Sequence, residues 1–138
     1  MKALIIDEPW IGKILAGTKT WEMRKTACHA QERIALIRKG SGAVVGVADC
    51  RGSLPTIESP DAYAAAEPMH GIPSARQVQA FADGWRTPWV IENARALAEP
   101  VPYSHPSGAV IWVNLDPAVA EDVEAQLGRT EPLVARKL

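Results

Sequence analysis

A short segment near the N-terminus carries the side chains that acid–base chemistry requires. Lys19, Thr20, Glu22 and Arg24 supply an amine, a hydroxyl, a carboxylate and a guanidinium group. A carboxylate can take a proton from water, and a lysine cation can stabilise an oxyanion or protonate a leaving amine. The segment is therefore a candidate site for hydrolysis, with Lys19, Glu22 and Thr20 as candidate catalytic residues.

Two effects act in opposite directions on the Lys19 amine. A nearby Glu22 carboxylate would stabilise the charged amine, whereas burial would favour the neutral base. The spacing also allows a second interpretation of the segment, because a solvent-exposed strand with alternating charges has the same pattern. The residues alone leave both questions open.

The alternation of polar and apolar residues from Thr20 to Arg24 predicts a half-buried strand. Thr20, Glu22 and Arg24 share one face, and the face of Trp21 and Met23 is expected to meet the core. Before this strand, a helix over residues 9–16 is predicted to begin after acidic residues, with Pro9 in its first turn, and to stop at Gly17. The candidate site thus lies where a helix ends and a strand begins.

The remaining pattern predicts an α+β fold, a small β-barrel of five to six mainly antiparallel strands flanked by short helices. One domain is expected over residues 1–138, with the barrel and its helical insertions over about 1–116 and a C-terminal helix and loose tail over 117–138. The strands at 20–24, 32–38 and 43–49 are expected to form an antiparallel meander. Further strands are predicted at 3–6, 89–91 and 110–113, and further helices at 59–66, 74–82 and 117–127.

Composition and charge restrict the function. The hydrophobic fraction of 47% is enough for a folded core, and the net charge of −1 argues against sequence-independent binding of long nucleic acids. No apolar run reaches the roughly 18 residues of a membrane span, and Asp7 and Glu8 come too early for a signal peptide. These features predict a cytoplasmic protein without a membrane partner that can still bind a nucleoside.

Cysteines, histidines and tryptophans are assigned mostly structural roles. Cys28 and Cys50 are interpreted as free thiols, and no CxxC, HxH or HExxH spacing indicates a metal, so no metal or cofactor is predicted. Trp21, Trp89 and Trp112 are expected in the core. The aromatic candidates for lining a cleft are Trp10 and Trp85.

Several segments resemble the ASCH domain family. Pro9-Trp10, a short helix and the run from Gly17 to Arg24 resemble its Pro-Trp and Gly-x-Lys-Thr-x-Glu-x-Arg signature. Residues 43–47 and 107–115 resemble later strands of the family, so the resemblance reaches from residue 4 to about 115. It implies a barrel similar to the RNA-binding PUA domains, with a cleft that takes a nucleotide or a base, and it favours a functional cleft over a solvated strand.

The family also suggests an activity. Some small bacterial ASCH proteins are amidohydrolases that remove acyl groups from N4-acylated cytidines, whereas others have been described as ribonucleases. In the amidohydrolase branch the site is a lysine, a threonine three residues later and a distant glutamate. Lys19 matches the lysine, but Glu22 stands where that threonine is expected, and Glu67 is the nearest candidate for the distant glutamate. The candidates for the nucleophile are therefore water, Thr20 and Glu22, and the sequence does not distinguish them.

The sequence supports two alternative functions. The first is a metal-free amidohydrolase acting on N4-acylated cytosine nucleosides as a monomer or homodimer, with Glu22 activating water and Lys19 stabilising charge. The second is an RNA-binding module or ribonuclease whose affinity falls with salt. Candidate substrate-binding residues are Trp10, Arg24, His70, Tyr103 and Ser104, and candidates for a basic RNA-binding strip are Arg24, Lys25, Arg33, Arg38, Lys39 and Arg51.

Overall fold

The computed structural model describes residues 1–130. This part of the chain contains six strands and five helices, which confirms the predicted α+β class. The strands are β1 (Lys2–Ile6), β2 (Trp21–Arg24), β3 (Gln31–Arg38), β4 (Ala43–Ser53), β5 (Thr87–Pro102) and β6 (Trp112–Asn114). The helices are α1 (Trp10–Leu15), α2 (Pro60–Ala65), α3 (Glu67–His70), α4 (Ser74–Ala82) and α5 (Pro117–Thr130).

All six strands form one sheet in the order β2-β5-β4-β3-β1-β6. Only the β1–β3 pair is parallel, and the other neighbours are antiparallel. The Arg24 guanidinium on edge strand β2 donates to the carbonyl oxygen of Ile5 on β1, at 2.9 Å. Because β1 is the fifth strand from that edge, the sheet must curl back on itself, as in a half-barrel.

The predicted meander is wrong for its first strand. β3 and β4 pair as an antiparallel hairpin, but β2 pairs with the start of β5. Both edges of β3 are already occupied, by β1 and β4, so β2 has no edge of β3 to join. β5 pairs with β2 along one edge and with β4 along the other.

Element boundaries differ most in the second half of the chain. β5 is much longer than the predicted 89–91, and β6 omits the predicted Val110 and Ile111, which are exposed. The helices predicted at 59–66, 74–82 and 117–127 are present as α2, α4 and α5, and α3 was not predicted. Part of the predicted loose tail, residues 128–130, belongs to α5, and residues 131–138 lie outside the described residues.

Apolar side chains cover both faces of the sheet. Leu4 and Ile6 of β1 belong to a cluster shared with α1, whereas Ala3 and Ile5 belong to a cluster shared with α5. A third, smaller cluster lies between β2 and the inserted helices, around Met23, Tyr63 and Ile72. The core therefore fixes α1, β2 and the inserted helices relative to one another. No helix among residues 1–130 is long and apolar enough to cross a membrane.

Gly46 on β4 lets α1 pack closely against the sheet. A Cβ atom at this position would lie 2.5 Å from Leu15 Cδ2 and 2.8 Å from the Arg95 carbonyl oxygen. These separations are too short for any side chain, so glycine permits the close approach. The end of α1, and with it the start of the candidate site, is thereby set against the sheet.

Candidate functional site

The turn after α1 places Lys19 inside the protein. Gly17 has φ 82°, a left-handed conformation that suits glycine at a helix end. The backbone N–H groups of Thr18 and Lys19 both donate to the Lys13 carbonyl oxygen, at 3.0 and 3.2 Å. This tight turn directs the Lys19 side chain inward, where the residue is only 2% exposed.

The Lys19 ammonium group contacts a carbonyl, a carboxylate and an aromatic ring. Nζ donates to the His70 carbonyl oxygen at 2.6 Å and lies 3.6 Å from Glu22 Oε1. It also lies 5.2 Å from the ring centroid of Trp10, within range of a cation–π interaction. A second lysine, Lys13, donates to the Gly71 carbonyl oxygen at 2.6 Å and contacts the same ring at 5.3 Å.

Glu22 connects Lys19 to Arg24. Its Oε2 atom accepts from Arg24 Nε at 3.1 Å and lies 2.9 Å from Arg24 Nη2. The guanidinium also lies 5.4 Å from the ring centroid of Trp89. Since Glu22 and Lys19 are both buried, this strand face is not a solvated surface. The opposite face, Trp21 and Met23, meets the third apolar cluster as predicted.

Burial is the largest influence on the pKa of Lys19. It lowers the pKa of Lys19 from 10.5 to about 8, against the opposing effect of the Glu22 carboxylate. The positive charges of Lys13 and Arg24 lower this pKa further. The amine is therefore mainly charged at neutral pH but releases its proton close to the physiological range, as an acid–base group must.

A cavity of about 840 Å³ opens where the curled sheet faces α4. Its inner end is formed by the buried Lys19, Glu22 and Trp89 with the half-buried Trp10 and Arg24. Its mouth is formed by exposed residues. The mouth residues are Asp7, Lys25, Thr26, Lys39, Ala75, Arg76, Gln79, Asp83, Trp85, Val110 and Ile111.

The family model of the ASCH domain matches residues 4–101. The chain belongs to the ASCH domain family. No protein of curated function matches it in sequence.

The fold is similar to that of an ASCH protein from Zymomonas mobilis. One crystal structure of that protein aligns over 94% of each chain with a TM-score of 0.65 and 12% identity. Two crystal structures of its mutants give TM-scores of 0.65 and 0.66 at 13% identity, covering 90% of this chain and 94% and 96% of theirs. At such low identity, the likeness establishes the ASCH fold and nothing about activity.

Four of the predicted site residues meet in the ASCH cavity, namely Lys19, Glu22, Arg24 and Trp10. Thr20 does not line it, and its backbone N–H and carbonyl bond to Met69 and Ile91. These bonds fix the start of β2 between α3 and β5. Thr20 is thus placed as a neighbour of the cavity.

Glu67, Tyr103 and Ser104 lie elsewhere in the ASCH domain. Glu67 is exposed, accepts a hydrogen bond from Gln77 and borders a separate hollow with Lys13. Tyr103 contacts His105 Nδ1 through its hydroxyl group, at 2.8 Å, and packs against the cluster on the α5 side of the sheet. Neither Tyr103 nor Ser104 lines the cavity.

His70 does not line the cavity, although its backbone carbonyl oxygen accepts from Lys19 Nζ. The ring is fully buried, with Nδ1 accepting from the Ile72 N–H at 2.9 Å and Nε2 lying 2.7 Å from the Tyr63 carbonyl oxygen. These partners require a neutral ring that carries its proton on Nε2. Burial lowers the pKa of His70, in agreement with a neutral ring.

Arg76 and Ile72 were not predicted as cavity residues, and Trp89 was predicted only as core. They come from α4, the segment before it and β5, so no local sequence pattern connects them to Lys19. The sequence signal for Arg76 was an arginine in the first turn of the helix predicted at 74–82, and its lack of an ion-pair partner is visible only in the structure. Among residues 1–130, no three His, Cys, Asp or Glu residues are grouped as metal ligands.

Proposed function

We propose that this ASCH protein is an amidohydrolase that removes the acyl group from N4-acylated cytosine nucleosides. The observation that carries the proposal is the buried Lys19, with its pKa lowered to about 8, at 3.6 Å from Glu22 in a cavity large enough for a nucleoside. The family membership supports a hydrolase-like activity on this fold.

In the proposed reaction, Glu22 takes a proton from a water molecule as the water oxygen attacks the acyl carbon. Arg24 holds Glu22 Oε2, which leaves Oε1 facing Lys19 and the cavity. The Lys19 cation stabilises the oxyanion and then donates its proton to the departing N4 amine as the C–N bond breaks. The proton held by Glu22 returns to Lys19, and the products are a carboxylic acid and the cytosine nucleoside.

The aromatic residues of the cavity support binding of a pyrimidine. Trp10 lies beside the Lys19 amine, and Trp85 stands at the mouth. Stacking of a single base on an aromatic side chain is a sequence-tolerant and favourable contact. A base held against Trp10 would bring its N4 substituent within reach of Lys19 and Glu22.

The test is release of cytidine from N4-acetylcytidine in the presence of a metal chelator. Lys19→Met and Glu22→Gln are each expected to lower kcat/KM by at least about 100-fold, the usual contribution of a general acid or base. Lys2→Met, an exposed lysine outside the cavity, is the matched control and is expected to retain activity. Thr20→Val and Glu67→Gln should also remain active, and loss of activity in either would move the chemistry to that residue.

A second candidate, RNA binding or RNA cleavage, is favoured by the basic residues at the mouth. Of the predicted basic strip, Arg24, Lys25 and Lys39 line the cavity. Arg33, Arg38 and Arg51 instead form ion pairs with carboxylates. If no cytidine is released while short RNAs bind with steep salt dependence, RNA becomes the better assignment.

A further inference from the structure

Three basic side chains at the cavity mouth have no acidic partner. We call Lys25, Lys39 and Arg76 the basic rim; all three are exposed and line the cavity that contains Lys19. Within residues 1–128, none of them forms an ion pair. Lys25 contacts the ring of Trp85 at 4.8 Å, and Arg76 and Lys39 have no side-chain hydrogen bond in this part of the chain.

The charge of the cavity differs in sign from that of the whole chain. The cavity lining contains five basic and three acidic side chains, although the chain has a net charge of −1. Glu22 is already bound by Lys19 and Arg24. The other two acids, Asp7 and Asp83, are exposed and accept from neutral N–H groups of Glu8 and Gln79. They keep their charges, so the lining has an excess of two positive charges, five basic against three acidic side chains.

This arrangement attracts an anion to the mouth. A concave site with an excess of one sign of charge concentrates the field and raises the local concentration of the opposite charge. Lysine and arginine are the side chains that bind phosphate oxygens. The volume of about 840 Å³ lies in the range of sites that bury most of a ligand of nucleotide size.

We propose that the basic rim binds the phosphate group of a nucleotide, so that the substrate is a phosphate ester of the cytosine nucleoside and not the free nucleoside. The base lies at the inner end against Trp10, the sugar occupies the middle of the cavity, and the phosphate reaches the rim. The identity of the base rests on the proposed function, whereas phosphate binding at the rim stands on the charges alone.

Equilibrium binding tests the rim without requiring catalysis. Cytidine and its 3′- and 5′-monophosphates are titrated into the wild type, a Lys25→Gln/Lys39→Gln/Arg76→Gln variant and an Arg51→Gln control. Arg51 is an exposed arginine on β4 outside the cavity. At least one monophosphate is expected to bind the wild type and the control about tenfold more tightly than cytidine does, with the preference falling as salt rises. The rim variant should bind all three equally.

Equal binding of cytidine and both monophosphates by the wild type would overturn the proposal. Retention of the full preference by the rim variant would do the same. Because all three substitutions are on exposed side chains, the variant should unfold at the wild-type temperature, and a circular dichroism melt checks this point.

Hydrolysis separates this inference from the proposed function. If neither N4-acetylcytidine nor its monophosphates release acetate, the amidohydrolase assignment fails, and a rim-dependent preference for cytidine monophosphate still supports the rim. If both forms are hydrolysed with equal kcat/KM, the enzyme stands and the rim proposal is overturned. A hexanucleotide containing N4-acetylcytidine identifies the source of the phosphate. If it binds the wild type more tightly than the mononucleotide does, the phosphate at the rim belongs to RNA. If it binds more weakly, the phosphate belongs to a free nucleotide.

Discussion

At the scale of single residues, the site depends on a lysine whose neighbours act on its charge in opposite directions. Burial, Lys13 and Arg24 lower the pKa of Lys19, and Glu22 raises it. The result, about 8, is close enough to neutrality for proton donation and still leaves most of the amine charged at pH 7. Lys13 is useful experimentally because it affects Lys19 through charge without lining the cavity.

The first prediction concerns the alkaline limb of the profile of kcat/KM against pH. The proposed mechanism needs the Lys19 cation, so kcat/KM for N4-acetylcytidine is expected to fall as pH rises through about 8. Lys13→Gln removes a positive charge that lowers the Lys19 pKa, so the limb should move to higher pH. Lys2→Gln is the matched control and should leave the limb in place. A limb that stays fixed in Lys13→Gln would assign the ionisation to another group.

Sequence reasoning reached part of this site. Glu22 and Arg24 could be placed on one face because a strand repeats every two residues, and Lys19 because the family signature includes it. Glu67 was selected by its position along the chain and Tyr103 for the hydrogen bond it could make to a ligand, and neither lies in the cavity. Through-space contacts between α3, α4 and β2 decide which polar groups face the cavity, and no local pattern records them.

At the scale of elements, α1 and α3 set the position of Lys19 from two sides. α1 is held against β4 at Gly46, and α3 ends at Gly71, whose φ of 65° is left-handed. The carbonyl groups of His70 and Gly71 accept from Lys19 and Lys13, respectively. Two short helices, α1 and α3, therefore fix the position of the Lys19 amine at the end of its flexible side chain.

The second prediction tests the contact between α1 and the sheet. Gly46→Ala would place a methyl group against Leu15 and the Arg95 carbonyl, so α1 must shift. Overpacking of this kind is expected to lower the free energy of unfolding by about 1–3 kcal/mol and to reduce kcat/KM by moving Lys19. Gly128→Ala on α5 is the matched control, because its Cβ meets nothing within 4 Å. It should be neutral or stabilising in urea unfolding, and an unaffected Gly46→Ala would show that α1 has room to move.

The third prediction concerns the buried ring of His70. Burial lowers its pKa, although the Tyr63 carbonyl and the Glu67 charge act in the opposite direction. As pH falls below about 6.5, the unfolded chain binds a proton that the folded ring does not, so folding stability should decline. His70→Asn keeps an acceptor for the Ile72 N–H but has no titrating ring.

Urea unfolding on both sides of about pH 6.5 measures this effect. The loss of unfolding free energy on acidification should be smaller in His70→Asn than in the wild type. His29→Asn, at an exposed histidine, should keep the wild-type dependence. An equal pH dependence in all three proteins would mean that other groups control acid stability.

Helix caps and strand alternation predicted most elements, but not their partners. Ser59 caps α2 by accepting from the Ala62 N–H, as its position suggested. The length of β5 was missed because its middle is polar and its pairing with β4 is interrupted by register shifts. The pairing of β2 with β5 depends on which strand edges remain available, which is decided only when the whole sheet forms.

At the scale of the whole molecule, the cavity exists because the sheet curls and brings β2 towards β1 without pairing the two strands. Among the described hydrogen bonds, the bond from Arg24 to the Ile5 carbonyl oxygen is the one that links them. The fold class and family could be predicted, because the signature and the strand spacing are local features. The positive cavity could not, since a net charge of −1 does not reveal which charges pair. Most arginines on the sheet have carboxylate partners, whereas the basic rim does not.

The last prediction uses the two cysteines to report on the stability of the whole ASCH domain. Cys28 and Cys50 are free, are buried in the cluster beneath α1 and have sulfur atoms 3.7 Å apart. Both thiols are largely inaccessible to solvent, and burial raises the pKa of Cys50 to about 11, so almost no Cys50 thiolate is present near neutral pH. A disulfide reagent should therefore label the native protein only through unfolding, and both thiols rapidly in urea.

Ligand binding should then slow the labelling of both thiols in parallel. A ligand that contacts β1, β2 and α4 together binds only the folded chain, and at 100 times its Kd it stabilises that state by about 2.7 kcal/mol, or about 100-fold in the unfolded population. Cytidine monophosphate should slow labelling by this factor in the wild type at matched saturation. A different result would be protection of Cys50 by the ligand with no change in the labelling rate of Cys28. The segment between β2 and β3 would then open locally. In that case the cavity wall that contains Lys25 and Thr26 unfolds independently of the rest of the sheet.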